Sequence, residues 1–336
     1  MLTKRRNFLE TIRGGNPDRF VNQYEPFALI FGDPVARSSR IPARGEVVKN
    51  AWGVTIQFPE HVPGPFPLHD ETHKLIRDVN AWRDVVKAPK VDYPDGDWAD
   101  ICDMANAVDR DEQFATLLFA PGIFEQLHYF MGMEECLISF YTAPDAIKEL
   151  INYLVDYELA YSERLLRHTR ADAILHHDDW GSQLSSFMSP AMFEEFIVPA
   201  YKKIYGFHKA NGVEIIVHHS DSYAANLVPY MIEMGIDVFQ GCLTSNNVPE
   251  LVKKYGGRIS FMGDINNGVV DIQGWTPELI EREVERACRT CGKHYFIPCL
   301  ATGGPGSVYP GVYQAVGEAV DKMNKMMFQY WYSGSN

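Results

Sequence analysis

Two short stretches concentrate groups that can bind a metal or move a proton. His218, His219 and Asp221 close an apolar run that begins at Val213, and His176, His177, Asp178 and Asp179 close another that begins at Ala171. In an extended chain successive side chains point to opposite faces, so His219 and Asp221 share one direction while His218 takes the other. Cys299 ends a later run, "YFIPC". His219, Asp221 and Cys299 together would offer nitrogen, oxygen and sulfur to a zinc ion and leave its fourth position open, as catalytic zinc requires. For a single strand-end histidine the competing reading is a hydrogen-bonded structural residue. The same alternation pairs His177 with Asp179 and His176 with Asp178. Either pair suits acid–base work or a hydrogen bond to substrate, and an aspartate capping the next helix is the structural alternative. "CRTC", Cys288 to Cys291, ends a helical segment ahead of a strand. A thioredoxin-type site needs the reverse order and a structural zinc needs a second pair, so these thiols read as structural.

The elements that must position these groups form a rhythm. From Phe114 onward short apolar runs, "FATLLFAPG", "ADAILHHDD", "GVEIIVHHSD", "GIDVFQGC", "RISFMGDI" and "HYFIPCLATGG", alternate with longer amphipathic segments. Such repetition predicts βαβ units and a parallel sheet. With the early extended run "RFVNQYEPFALIF" at least seven strands are visible, and no Gly-x-Gly-x-x-Gly follows the first of them. The expected architecture is therefore an α/β fold, a closed (β/α)8 TIM barrel, whose strand ends converge on one mouth. An N-terminal helix to about Gly15 precedes it. "EVVKNAWGVTIQF" predicts a hairpin inside an insertion over 32–70, and "HKLIRDVNAWRDVVKAP" predicts a helix. No repeat or linker divides the chain, so residues 1–336 read as a single domain.

With 336 residues, 46% of them hydrophobic, the chain can bury a sizeable core. A formal net charge of −13 and the lack of any Lys/Arg-rich run leave no electrostatic footprint for nucleic acid or an anionic membrane. No run approaches the ~20 apolar residues of a membrane span, and the start lacks the apolar core of a secretory signal, so a cytoplasmic protein is expected. Six cysteines are too sparse for a disulfide framework and suit a reducing compartment.

"RRNFLETIRGGNPDRF", "PGIFEQLHYFMGMEECL", "DDWGSQ", "HHSDS", "MGIDVFQG", "GGRISFMGDIN" and "GGPGSVYPGVYQAV", in this order, resemble the uroporphyrinogen decarboxylase superfamily over nearly the whole chain. The resemblance implies a (β/α)8 barrel. True decarboxylases of that superfamily carry a Met-Arg-Gln-Ala-Gly-Arg type segment near the N-terminus. Here the region reads "YEPFALIFGDPVARSSR", and without those guanidinium groups an octa-acid has no visible counter-charge. The other branch, the cobalamin-dependent methyltransferases, has a His-x-Cys zinc motif and a distant Cys. This chain resembles it with His219-x-Asp221 and Cys299. A carboxylate in place of a thiolate leaves the metal more electrophilic and suits polarising an ether oxygen.

What this implies is a methyltransferase I of the anaerobic O-demethylase type. It would move a methyl group from an O-methyl compound, expected to be a methoxylated aromatic, to Co(I) of a separate corrinoid protein. Zinc would sit at His219, Asp221 and Cys299, Asp179 or His177 would donate a proton, and Asp178, Glu125, His128 and Gln240 would meet the substrate. No Asp-x-His-x-x-Gly motif occurs, so the cobalamin is expected to be presented by a partner rather than held. The alternatives are a decarboxylase-like lyase on a smaller acid and a non-catalytic partner of a corrinoid protein.

Overall fold

The computed structural model describes residues 1–62 and 64–328. Its strands are β1 (Phe27–Ile30), β2 (Val47–Lys49), β3 (Thr55–Gln57), β4 (Phe66–Pro67), β5 (Phe114–Phe119), β6 (Ala173–His177), β7 (Ile215–His219), β8 (Val238–Cys242), β9 (Ser260–Ile265) and β10 (Phe296–Leu300). β1 and β5 to β10 form one parallel sheet in chain order, and β2, β3 and β4 form a small antiparallel sheet within 32–70. Side chains from every strand of the large sheet, among them Phe27, Phe114, Leu175, Val217, Val238, Met262 and Ile297, pack into a single interior cluster. The sheet is therefore curled, with its helices on the outer face.

The expected eight-stranded closure is not what the described residues show: seven strands make the sheet, and no pairing joins β10 to β1. The early extended run accounts for part of the difference. Gln23 takes φ 52 and Phe27 donates its N–H to the Tyr24 carbonyl at 2.9 Å, so the chain turns and strand pairing starts only at Phe27. Val21 and Tyr24 instead enter the interior beside Phe8 and Leu9 of the N-terminal helix Lys4–Ile12. Thr3 caps that helix by accepting from the Arg6 N–H at 3.2 Å.

The helix expected over "HKLIRDVNAWRDVVKAP" shrinks to two short turns, Val79–Ala81 and Trp82–Val85. Leu75 and Ile76 give their N–H groups to the Phe130 carbonyl, and the Asp78 side chain caps Asn80. Both bonds take donors that a continuous helix would need.

The two faces of the sheet are built differently. At the N-terminal face, Asp172 receives Arg5 at 3.3 Å, Arg110 at 2.6 Å and the Ala115 N–H at 2.9 Å, while Glu214 receives Arg5 and Arg13. Asp237 likewise accepts from the Ile216 N–H at 2.7 Å. Acids placed just before β6, β7 and β8 thus tie each strand to a neighbour or to the N-terminal helix. The C-terminal face holds the groups singled out above. Of the described helices, none is long and apolar enough to cross a membrane.

β8 carries an irregularity between Gln240 and Cys242, where the two residues pair with Met262 and Gly263. Gly241 supplies the extra residue at φ 89, and a Cβ there would lie 2.8 Å from the Ser220 backbone. Gly241→Ala should therefore lower stability by about 2 kcal/mol, through the left-handed backbone and the close approach together. A shift of the denaturation midpoint against the parent protein measures it.

Candidate metal centre

β6 and β7 are in register with His177 opposite His219. Both side chains point into the curl, and their rings stack at 4.4 Å with 27° between planes. Each ring is held by its Nδ1. His177 Nδ1 lies 2.8 Å from Glu125 Oε2, on the helix Ile123–Met131 that follows β5. His219 Nδ1 bonds to Gln240 Oε1 of β8, whose Nε2 in turn donates to the Thr302 carbonyl at 3.1 Å. An amide oxygen only accepts, so the proton of His219 sits on Nδ1 and Nε2 keeps its lone pair. That buried Nε2 has no hydrogen-bond partner among the described residues. Asp179 Oδ1 lies 3.7 Å from it and is fixed by the Asp221 N–H at 2.9 Å.

His177, Asp179 and His219 are the three groups, among the described residues, whose ligand atoms come within 4.8 Å of one another. The set fits a divalent cation on more than proximity. Metal-bound histidines hold their second nitrogen against a carboxylate or carbonyl, and Glu125 and Gln240 do this for both rings. Burial, then the neighbouring His177, lowers the pKa of His219 to about 4, which leaves it neutral near pH 7. Burial alone would lower His177 too, but the hydrogen bond and charge of Glu125 outweigh it and raise the group to about 9. Gly303 completes the cradle: a Cβ there would sit 3.2 Å from Nε2 of both His177 and His219. Two imidazoles and one carboxylate with an open side form a three-ligand set of the type that holds catalytic zinc, and non-haem iron uses the same donors.

This donor set differs from His219, Asp221 and Cys299. The register is the reason. His177 and His219 stand side by side on paired strands, whereas Cys299 lies on β10, three strands further along the sheet from β7, and its thiol is not among the ligand atoms that come within 4.8 Å of one another. Cys299 is wholly buried in the apolar interior cluster, and burial pushes its thiol well above the ordinary range. Asp221 lies two residues past the end of β7 and presents its N–H to Asp179. Loss of surrounding water, then the Asp179 charge, raises the Asp221 carboxyl to about 7.

Asp178, expected at the substrate, is fully buried on the other side of the strand. Its carboxylate accepts from the Phe124 and Glu125 N–H groups at 3.0 and 2.8 Å, from Trp180 Nε1 at 2.9 Å and from the Tyr201 hydroxyl at 2.6 Å. It caps the helix that carries Glu125, and its carboxyl is committed to protein donors on the buried side of the strand. A Cβ at Gly122 would lie 2.3 Å from Asp178, so that helix can begin there only with glycine.

Glu125 and Gln240, also expected at the substrate, orient the two histidines. His128, on the Glu125 helix, stays close enough to His69 and Asp179 to feel both, and burial lowers it to about 4. Cys288 and Cys291 are buried in the helix Pro277–Cys291, with Cys291 Sγ 3.4 Å from Asp264.

Sequence reasoning places the loop after β10 at the mouth but assigns no role to Thr302 or Gly303. The Thr302 carbonyl accepts from both Gln240 and the Tyr24 hydroxyl, which brings Gly303 over the donors. A cleft of about 540 Å³ opens beside it, lined by Thr302, Gly304, Pro305, Ser307, Val308 and Arg44 from the insertion. Arg44 donates to the carbonyls of Glu60 and Val62 and has no carboxylate partner among the described residues.

The family model described as uroporphyrinogen decarboxylase (URO-D) matches residues 40–323. No curated protein sequence matches the chain. Among solved structures, a methyltransferase from Methanosarcina mazei superposes with a TM-score of 0.63 at 12% identity, covering 96% of this chain and 99% of its own. A B12-independent methionine synthase from Shewanella sp. W3-18-1 gives 0.47 at 11% identity, covering 84% and 73%. The first match shows a shared fold.

The geometry predicts one divalent cation per chain by elemental analysis. His219→Ala and Gly303→Ala should remove it from folded protein, and Glu125→Gln should weaken it about 10–100-fold. Cys299→Ser should keep it, and loss of metal in that variant alone would return the ligand set to the one read from spacing.

Proposed function

Because the chain belongs to the uroporphyrinogen decarboxylase family, we propose that it uses that fold as a zinc-dependent methyltransferase. It takes a methyl group from a methoxylated aromatic compound and passes it to the Co(I) of a separate corrinoid protein. The observation that carries this reading is the His177, Asp179 and His219 set against Gly303, whose neighbours Thr302 and Gly304 line a cleft able to seat a small molecule. The M. mazei methyltransferase supports it at the level of fold. Decarboxylation of a porphyrinogen is disfavoured, since Arg44 is the one cationic side chain lining that cleft.

Zinc held by His177, Asp179 and His219 would supply Lewis acidity to an ether oxygen, whose departure as phenolate is otherwise slow. The protein's own groups do the rest. Glu125 and Gln240 hold both Nδ1 atoms and so leave both Nε2 atoms beside Gly303. Arg44 offers counter-charge to an acidic substituent on the aromatic ring. Asp221, whose carboxyl is raised by loss of surrounding water and by the neighbouring Asp179, can serve as the proton donor to the departing oxygen. The C–O bond would break with its electron pair kept on oxygen, which takes the proton, and the methyl group would pass to the partner's Co(I), whose own electron pair makes the new bond. This gives Asp221 the proton-donating role first assigned to Asp179 or His177, whose ligand atoms belong to the metal set.

Exposed apolar residues on the segments that follow three of the strands support a docking partner. Phe31 follows β1, Leu184 follows β6 and Val308 follows β10, with 66%, 85% and 60% of their surfaces exposed. A lyase acting on a smaller acid is the second reading, favoured by Arg44, and it needs no metal.

The test incubates the protein with a reduced corrinoid carrier and methoxylated phenols and benzoates, following methylcobalamin absorbance. Transfer should stop with a chelator and return with zinc. Asp221→Asn should keep the metal and slow transfer about 100-fold or more. Carbon dioxide release from an acid without methylcobalamin would favour the lyase.

A further inference from the structure

A second cavity, of about 750 Å³, lies on the outer side of the sheet. It is framed by the ends of β1 and β5, the hairpin residue Trp52 and the long helix Pro144–Thr169. Aromatic rings form a linked wall: Trp52 meets Tyr157 edge-on at 4.7 Å, Tyr157 meets Tyr161 at 6.1 Å, and Tyr161 meets Phe119 at 5.8 Å. Glu158 lines the same space with 8% of its surface exposed. Its carboxyl accepts no hydrogen bond among the described residues. The nearest polar neighbour, His176 Nδ1, is 3.5 Å from Oε1 and is itself without a hydrogen-bond partner.

A buried carboxyl left in this state is costly unless a cation or donor meets it. Burial has already pushed Glu158 up to about 8. The other charges around the cavity are accounted for. Asp33 receives the Tyr161 hydroxyl at 2.7 Å and the Val35 and Ala36 N–H groups, while Arg37 and Arg40 are paired with Asp100 and Glu46. What is left is one unsatisfied acid among π-faces. That combination attracts an organic cation, by an ion-paired hydrogen bond and by the ring quadrupoles.

We propose that this cavity is a second binding site, for a small amphipathic amine whose ammonium group meets Glu158 and whose apolar body lies against Trp52, Tyr157 and Tyr161. The volume suits a molecule of metabolite or drug size. Gln126, whose buried Nε2 also lacks a partner, lines the cavity from the helix that carries Glu125. An occupant would therefore touch the element that orients His177, from the side opposite the metal centre.

The experiment titrates the full-length protein with benzylamine and 4-phenylbutylamine, and with benzyl alcohol and benzoate as neutral and anionic controls, by calorimetry. Both amines should saturate one site per chain and bind at least about tenfold tighter than either control, a difference of about 1.4 kcal/mol. Glu158→Gln should weaken the amines about tenfold or more while metal content and melting temperature stay near the parent values, and Trp52→Leu, which keeps an apolar side chain but no ring, should weaken them in folded protein that retains its metal. His219→Ala should leave amine binding unchanged, which separates this site from the methyl-transfer reading. Absence of saturable binding by both amines overturns the proposal, as does equal affinity in the Glu158→Gln protein or equal affinity for benzyl alcohol.

Discussion

The register that sets His177 opposite His219 is the constraint on which the rest of the site depends. Adjacent strands are held about 4.8 Å apart by their ladder, so two inward histidines at the same level present parallel rings with no further adjustment. What they need is orientation. Glu125 and Gln240 provide it from either side, one from a helix and one from the next strand, and each fixes a nitrogen that the cation does not use. Shifting either strand by one residue would exchange His177 for His176 and His219 for His218, turning the donors into the outer layer.

That outer layer shows why alternation matters. His218 stacks on Trp180 at 3.8 Å and receives the Tyr205 hydroxyl, while Asp178 closes the N-terminus of the Glu125 helix. Consecutive residues of one polar run thus serve opposite sides: His177 and Asp179 make the mouth, and Asp178 between them anchors the helix that steers His177. The chain reaches the metal centre by two routes from the same tetrapeptide.

Much of this was legible before any coordinates. The strand and helix rhythm predicts the parallel sheet, and alternation separates His177 and Asp179 from His176 and Asp178, and His219 from His218. Family membership is carried by motif order. The ligand set was harder to read, because spacing along one strand says nothing about which residue of another strand stands beside it. His219 and Asp221 are near in sequence, yet the partner that matters to His219 is 42 residues away, at His177. The sequence reading sets Glu125 and Gln240 at the substrate, but their bonds to Nδ1 atoms depend on register and helix placement. Gly303 carries no functional group, and only the packing shows what a methyl there would displace. The seven-strand count among the described residues has a similar origin: an extended, apolar run around Val21 looks like a strand until a turn at Gln23 directs it inward.

Arg44 reaches the cleft from the segment that also holds the small antiparallel sheet, whereas the donors come from the ends of β6 and β7. Under the proposed function, recognition and reactivity are thus encoded in separable stretches of polypeptide. Ion pairs at the opposite face hold the scaffold without help from either. Evolution can therefore rewrite this appendage, and with it the choice of small molecule, while inheriting an unchanged reaction centre.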